Sequence, residues 1–271
     1  MLHFHILKAS DKDDLVLEKK QISGSFIDMS NPWELNTYLE YLNRQRLGTQ
    51  SGLVWGGAVY ESIYLSSFPR ILFLLKESNC QTPNEVWSLP QHLRNQVEGT
   101  IDGPLSSPRL YNIWKFVGCM VAGITGNMPS YQSISSGGSD NFDKICKRAL
   151  SRVAVLNIKK TPGTSESDSS VLLSYVQQPQ HLELLMEEIR ILSPHLVICG
   201  GTYDILTKVI KRKHEVEWST GAKTFTCDDT GSIFLDFVHP SVRGIKRNVL
   251  YTYLQCVYYD LMHEYHWDER R

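Results

Sequence analysis

The stretch ILFLLKESN (residues 71–79) decides the fold, because five consecutive apolar residues stop abruptly at a polar cluster. Three later segments repeat this arrangement: VAVL (153–156) precedes Asn157, LVIC (196–199) precedes Gly200-Gly201-Thr202, and IFLDFV (233–238) precedes His239-Pro240-Ser241. Short apolar runs bounded by turn residues are typical of strands buried on both faces, as in parallel sheets. The sequence therefore predicts an α/β fold around four parallel strands.

The polar residues that follow these strands are expected to share one edge of the sheet. Ligands of open α/β sheets bind in the crevice beyond the carboxyl ends of the strands. Glu77, Asn157 and His239 would bring an acid, an amide and an imidazole to that crevice, which favours chemistry over packing. Each residue also has a structural alternative: Glu77 can pair with Lys76, Asn157 can form a turn, and His239 can cap one.

Length and composition favour one soluble globular domain over residues 1–271, with residues 1–69 as an N-terminal addition packed on the core. No apolar stretch approaches the ~20 residues of a membrane helix, and the N-terminus lacks the apolar region of a secretory signal. We therefore expect a cytoplasmic protein with no membrane partner. The six cysteines are scattered without a C-x-x-C pair, which predicts free thiols and no metal site.

The net charge of −1 argues against a protein that coats nucleic acid by charge alone. Two local basic groups nevertheless follow predicted strands. Lys159 and Lys160 come after the second strand, and Arg243, Lys246 and Arg247 come after the fourth. This placement predicts a positively charged rim around the crevice, as phosphate binding requires.

Hydrophobic periodicity predicts helices over residues 35–46, 142–150, 181–192, 204–213 and 248–266, and a mainly helical segment over 82–126. Residues 128–141 are rich in serine and glycine and are predicted to form a loop. Residues 161–170 are also predicted to form a loop, either a plain surface loop or one that contacts substrate. An additional edge strand is expected at 223–226.

The order of the four strand-end motifs resembles the uracil-DNA glycosylase superfamily, from Arg70 to Tyr251. The resemblance implies a three-layer α/β/α sandwich with a short parallel four-stranded central sheet. It also implies that Glu77 positions the attacking water and that Asn157 reads the pyrimidine. His239, in its His-Pro-Ser motif, would stabilise the departing base; whether it does so as a neutral donor or a proton donor is left open.

The first motif departs from the family pattern. Its usual glycine and proline are missing from Lys76-Glu77-Ser78-Asn79-Cys80, so Glu77, Ser78 and Asn79 are alternatives for the residue that holds water. Cys80 stands where the uracil-specific branch has a tyrosine that crowds C5 of the base. A smaller side chain there predicts a base with a bulky 5-substituent, such as glucosylated 5-hydroxymethylcytosine in phage DNA. Ser78, Asn79 and Cys80 are thus expected in the base pocket.

The resemblance further implies a DNA-contacting loop after the His-Pro-Ser motif. Val242 or Ile245 would fill the space left by a flipped nucleotide, a step that offsets part of the unstacking cost. The expected DNA contacts are Ser241, Val242, Arg243, Lys246, Arg247, Lys159 and Lys160. An aromatic residue should stack on the base, and the candidates are Tyr111, Trp114 and Phe116.

These predictions combine into a monomeric, monofunctional DNA glycosylase that needs no cofactor and hydrolyses the N-glycosidic bond of a modified pyrimidine. A uracil-DNA glycosylase of base-excision repair is one alternative. A non-catalytic nucleic-acid-binding module of the same fold is another, and a small-molecule nucleosidase or hydrolase is a third. The chain contains no Gly-x-Gly-x-x-Gly, Walker or Gly-x-Ser-x-Gly motif, which disfavours dinucleotide enzymes, P-loop enzymes and typical α/β-hydrolases.

Overall fold

The computed structural model describes residues 35–48, 52–78, 87–99, 108–126, 128–136, 138–163 and 167–267. The helices are α1 (Leu35–Leu47), α2 (Glu61–Leu65), α3 (Leu89–Glu98), α4 (Pro108–Thr125), α5 (Tyr131–Ser135), α6 (Gly138–Leu150), α7 (Ser169–Val176), α8 (Pro179–Leu192), α9 (Tyr203–Leu206) and α10 (Arg247–Glu264). The strands are β1 (Val54–Trp55), β2 (Gly57–Ala58), β3 (Ile71–Leu75), β4 (Trp87–Ser88), β5 (Val153–Asn157), β6 (Leu196–Gly200), β7 (Arg212–Glu217), β8 (Lys223–Cys227) and β9 (Ile233–Phe237).

The four predicted strands lie side by side and run parallel in the order β5-β3-β6-β9. The sheet is larger than predicted, because antiparallel strands extend it at both sides. Strand β2 pairs with β5, while β8 and β7 continue the sheet beyond β9. In the described residues, helices therefore pack on a mixed sheet of seven strands, in which the four predicted parallel strands form the centre.

Helices cover both faces of the sheet, which explains why its central strands are apolar throughout. Ile71 and Phe73 point to a core cluster that includes residues of α3, α4, α6 and α10. Leu72 and Leu74 point to a second cluster formed with α1, α7, α8 and α9. A strand buried on both faces cannot alternate apolar and polar residues, so its continuous apolar run follows from its position.

Three predicted segments differ from the structure. The segment 204–213 is helical only to Leu206, and its last residues begin the exposed edge strand β7. The loop predicted at 128–141 contains α5 and the start of α6, and the Ser130 hydroxyl accepts a hydrogen bond from the Ser133 N–H at the start of α5. The strand near 223–226 exists, but it lies between β9 and β7 rather than at the edge.

The segment between residues 35 and 69 contributes a strand to the sheet as well as a helix that packs on it. Helix α1, predicted at 35–46, contributes Leu39 and Leu42 to the second core cluster. Gly57 pairs with Val155, so β2 forms the edge of the sheet next to β5. Within the described residues, no helix combines the length and the apolar composition of a membrane span.

Candidate active site at the carboxyl ends of the strands

The ends of the four parallel strands form one polar edge. Asn157 ends β5, Lys76 follows β3, Gly200 ends β6, and His239 follows β9 by two residues. Neighbouring strands lie roughly 4.8 Å apart, so the three steps from β5 to β9 span roughly 14 Å, enough for a nucleotide base between Asn157 and His239. The structure therefore brings the predicted amide and imidazole to the same edge of the sheet.

The segment after β3 is fixed by the segment after β5. The ladder between the two strands continues beyond their ends, with Ile158 N–H donating to Leu75 C=O at 2.9 Å and Lys159 N–H donating to Lys76 C=O at 3.0 Å. Gly163 N–H then donates to Ser78 C=O at 2.9 Å. The backbone of the first motif is thus held by hydrogen bonds that short apolar runs alone do not reveal.

Asn157 is 3 % exposed and lies against Ser78. Its Nδ2 donates to the Ser78 Oγ at 2.8 Å. An amide has two donor hydrogens and an acceptor oxygen, so one donor and the acceptor remain after this bond. Ser78 therefore orients Asn157, and the remaining groups match the hydrogen-bonding edge of a pyrimidine.

Glu77 is occupied by an ion pair. Its Oε2 lies 2.6 Å from the Nζ of Lys159, and its side chain is 6 % exposed. The backbone of Gly163 packs on the same carboxyl group, where an added Cβ would clash with the Glu77 side chain. The structural alternative for Glu77 is therefore realised, with Lys159 rather than Lys76 as the partner. The same ion pair also neutralises the charge of Lys159, the residue that was predicted to contact a DNA phosphate.

Lys160 does not contribute to the crevice, so its predicted DNA contact is wrong. Its side chain is 2 % exposed, and its Nζ lies 2.6 Å from the Oε2 of Glu188 in α8. Successive side chains of an extended chain point to opposite sides, which separates Lys160 from its neighbour Lys159. Sequence adjacency gave both lysines the same role, whereas the backbone direction gives them different ones.

His239 carries its ring proton on Nε2. The backbone N–H of Ser241 donates to Nδ1 at 3.2 Å, and the Ser241 Oγ lies 2.6 Å from the same nitrogen. A backbone N–H can only donate, so Nδ1 is an acceptor and the neutral ring holds its proton on Nε2. Burial, with a smaller contribution from the charge of Lys76, lowers the pKa of His239 to about 4. At neutral pH His239 is a neutral hydrogen-bond donor.

A depressed pKa at His239 makes the fold less stable in acid. Between the folded pKa of about 4 and the ordinary value of 6.5, the unfolded chain binds a proton that the native protein does not. The free energy of unfolding should therefore rise with pH across that window and level off above it. Urea unfolding measures this effect. Between pH 7 and pH 4.5 we expect the free energy of unfolding to fall by about 2 kcal/mol more in wild type than in His239→Gln. Equal losses would contradict a neutral His239.

The turn after β6 leaves the floor of the crevice open. Gly201 has φ +69, and its N–H donates to the carbonyls of Cys199 and Phe237 at 2.8 Å. A side chain is strained at this φ, and an added Cβ would lie 3.1 Å from Cε of Lys76 and 3.9 Å from Cβ of His239. The Lys76 side chain thus crosses Gly201 next to His239, a contact that the sequence did not indicate.

A groove of about 440 Å³ is lined by Pro240 and Ser241, the two residues that follow His239. Its walls come from α4, from the segment that joins β9 to α10, and from the start of α10. The lining residues are Asn112, Ile113, Phe116, Pro240, Ser241, Val242, Arg243, Ile245, Arg247 and Leu250. Arg243 and Lys246 are exposed, while the Arg247 guanidinium lies 5.6 Å from the centroid of the Phe116 ring. Cationic side chains and apolar surface are therefore combined on one wall beside the crevice.

The two wedge candidates differ in exposure. Val242 packs against the core, whereas Ile245 is 42 % exposed at the tip of the same segment. Of the stacking candidates, Trp114 and Phe116 are 6 % and 1 % exposed, so neither offers a free ring face to a base. The side chain of Tyr111, and the residues Asn79 and Cys80, lie outside the described part of the chain.

Among the described residues, no cluster of three or more histidine, cysteine, aspartate or glutamate side chains has the arrangement of a metal site. Comparison with protein-family models, with curated proteins and with solved structures finds no match for this chain.

Proposed function

We propose that this protein is a DNA glycosylase that hydrolyses the N-glycosidic bond of a flipped-out pyrimidine. The observation that carries the proposal is the pair formed by Asn157, oriented by Ser78, and the neutral His239, at the ends of the outer two of four adjacent parallel strands. The spacing between them accommodates one base. The three-layer sandwich with its four parallel strands, implied by the family resemblance, belongs to the same proposal.

In the proposed reaction, water attacks C1′ of the deoxyribose while the bond to the base breaks. The sugar passes through an oxocarbenium-like state, and the bonding electrons leave with the base. The Nε2–H of His239 donates to the O2 of the departing pyrimidine, where negative charge develops. Asn157 holds the opposite edge of the base. The attacking water loses one proton to solvent and the departing base takes up one proton from solvent, so the products are an abasic site and the free base.

The first motif supplies two described candidates for holding the water. The Oε2 of Glu77 is engaged by Lys159, which leaves only its Oε1 to accept a hydrogen bond from water, on a side chain that is 6 % exposed. The Ser78 hydroxyl already contacts Asn157 and can bridge the base-reading amide and a water molecule. We therefore assign water positioning to Ser78 and a structural role to Glu77, which holds the Lys159–Gly163 segment.

The groove supports DNA as the partner. Ile245 is the exposed apolar residue of the segment after the His-Pro-Ser motif, and Arg243 and Lys246 flank it. An apolar wedge between cationic side chains suits a duplex from which a base has been extruded. The preference for a bulky 5-substituent rests on Cys80 in the sequence, and glucosylated 5-hydroxymethylcytosine remains the leading substrate, with uracil as the alternative.

The test is base release from three DNAs: uracil-containing, plain, and phage DNA with glucosylated 5-hydroxymethylcytosine. Hot alkali cleaves the abasic sites that a glycosylase leaves. We expect strand cleavage of one modified DNA by wild type, and its loss in Asn157→Ala. Intact DNA in all three reactions would overturn the proposal.

The locked carboxylate of Glu77 favours a second candidate, a nucleic-acid-binding module without catalysis. That protein would bind DNA without releasing a base. Its affinity would not change in Glu77→Gln, provided that the variant folds. The same assay, run with a DNA-binding measurement, separates the two candidates.

A further inference from the structure

The side chain of Lys76 occupies the part of the crevice next to His239. Lys76 is half-buried, and its Cε and Nζ lie 3.1 and 3.8 Å from the position of a Cβ on Gly201, itself 3.9 Å from Cβ of His239. The Lys76 side chain and the imidazole therefore flank the same small residue. Because Gly201 has no side chain, the lysine can extend across β6 toward the end of β9.

The charge of Lys76 is not neutralised by its neighbour in sequence. Glu77 pairs with Lys159 on the β5 side, and in the described ranges no carboxylate lies within 4.0 Å of the Lys76 ammonium. Lysine charges near the strand ends are otherwise paired, as Lys160 is with Glu188. An unpaired, half-buried ammonium attracts an anionic ligand more strongly than an ammonium in bulk water does, because charges are screened less at a half-buried position.

We propose that Lys76 is a second catalytic group, whose ammonium stabilises the negative charge of the departing base together with the Nε2–H of His239. This inference rests on the proposed glycosylase activity. A neutral imidazole donates one hydrogen bond but contributes no net charge, whereas the ammonium beside it supplies the positive charge. Both groups act on the electron pair that leaves with the base, so no additional reactant is required.

The arrangement also explains why His239 acts as a neutral donor while Lys76 supplies the positive charge. Burial lowers the pKa of the His239 imidazole, and the positive charge of Lys76 lowers it further. His239 therefore stays a donor with its proton on Nε2, and Lys76 remains the only cation at this position among the described residues. A positive charge already beside the departing base favours the negative charge that develops as the bond breaks.

The test compares Lys76→Met, which keeps most of the length and removes the charge, with Lys76→Arg, which keeps the charge. Single-turnover base release is measured on oligonucleotides with uracil or 5-fluorouracil, and on phage DNA with glucosylated 5-hydroxymethylcytosine. We expect Lys76→Met to slow release by roughly 10- to 100-fold and Lys76→Arg to retain most of the rate. Where both oligonucleotides are substrates, the loss should be larger for uracil, since 5-fluorouracil is the better leaving group.

Two further readouts separate this role from a structural or DNA-binding one. Affinity for undamaged DNA and its salt dependence should be the same in Lys76→Met and wild type, because no phosphate contact is lost. The pKa of His239, followed by NMR, should rise in Lys76→Met. If wild type and Lys76→Met released the base at the same rate, the role of Lys76 would be wrong, while the proposed glycosylase activity would stand. A rate loss explained by weaker DNA binding would also overturn it, and inactive wild type would overturn the proposed function as well.

Discussion

Replacing His239 with alanine should slow base release by roughly 10²- to 10³-fold, the loss seen when one preorganised donor is removed from a developing oxyanion. The donor is preorganised because Nδ1 is held by the Ser241 N–H and Oγ, which fixes both the ring and the position of its proton. Single-turnover rates on the DNA that wild type cleaves would measure the loss. Single-turnover conditions exclude product release from the comparison.

Ser241→Ala is the matched control for this variant. It removes the hydroxyl at 2.6 Å from Nδ1 but leaves the backbone N–H that sets the tautomer. We expect a loss of several-fold, well below that of His239→Ala. If His239→Ala released the base at the wild-type rate, the assignment of His239 as the leaving-group donor would be wrong, whatever the effect of Ser241→Ala.

Most of the central sheet was predictable because burial on both faces leaves a signal in the sequence. The segment ILFLL can be read as a strand because Leu72 and Leu74 are as buried as Ile71 and Phe73. Strand β7 has no such signal, since its residues RKHEVE are almost all exposed at the sheet edge. Its charges suggested the end of a helix. The irregular register near His214, at φ +49, has no sequence period that could reveal it.

The sequence predicts which site residues lie at the ends of the strands, but it does not predict which side chains those residues contact. Asn157 and His239 follow buried strands, and the structure places both at the expected edge. The structural alternative for Glu77 was an ion pair with Lys76, its neighbour in sequence, but the extended ladder between β3 and β5 presents Lys159 instead. The approach of Lys76 to His239 depends on Gly201, 125 residues away along the chain, which a pattern confined to one motif cannot show.

The second large effect is expected at the buried pair of Lys160 and Glu188. Their side chains are 2 % and 0 % exposed, and the Asn43 Nδ2 donates to the other carboxylate oxygen at 2.8 Å. The charged atoms lie 2.6 Å apart without the alignment of a hydrogen bond, so their attraction is mainly Coulombic. Lys160→Met would leave Glu188 charged and buried. We expect it to lower the free energy of unfolding by about 3–5 kcal/mol.

Urea unfolding of Lys160→Met, of Lys160→Met/Glu188→Gln and of wild type tests this expectation. The double variant should recover at least half of the loss, because glutamine keeps an acceptor for Asn43 and removes the unpaired charge.

Arg46→Met provides the control on the same pair of helices. Arg46 in α1 lies 3.4 Å from Glu183 and from Glu187 in α8, and its side chain is 41 % exposed. Exposed pairs of this kind contribute about 0–1 kcal/mol, so a loss near zero is expected. A similarly small loss in Lys160→Met would show that the buried pair does not stabilise the fold. A loss of about 3–5 kcal/mol would show that the fold depends on a cationic partner for the buried carboxylate of Glu188.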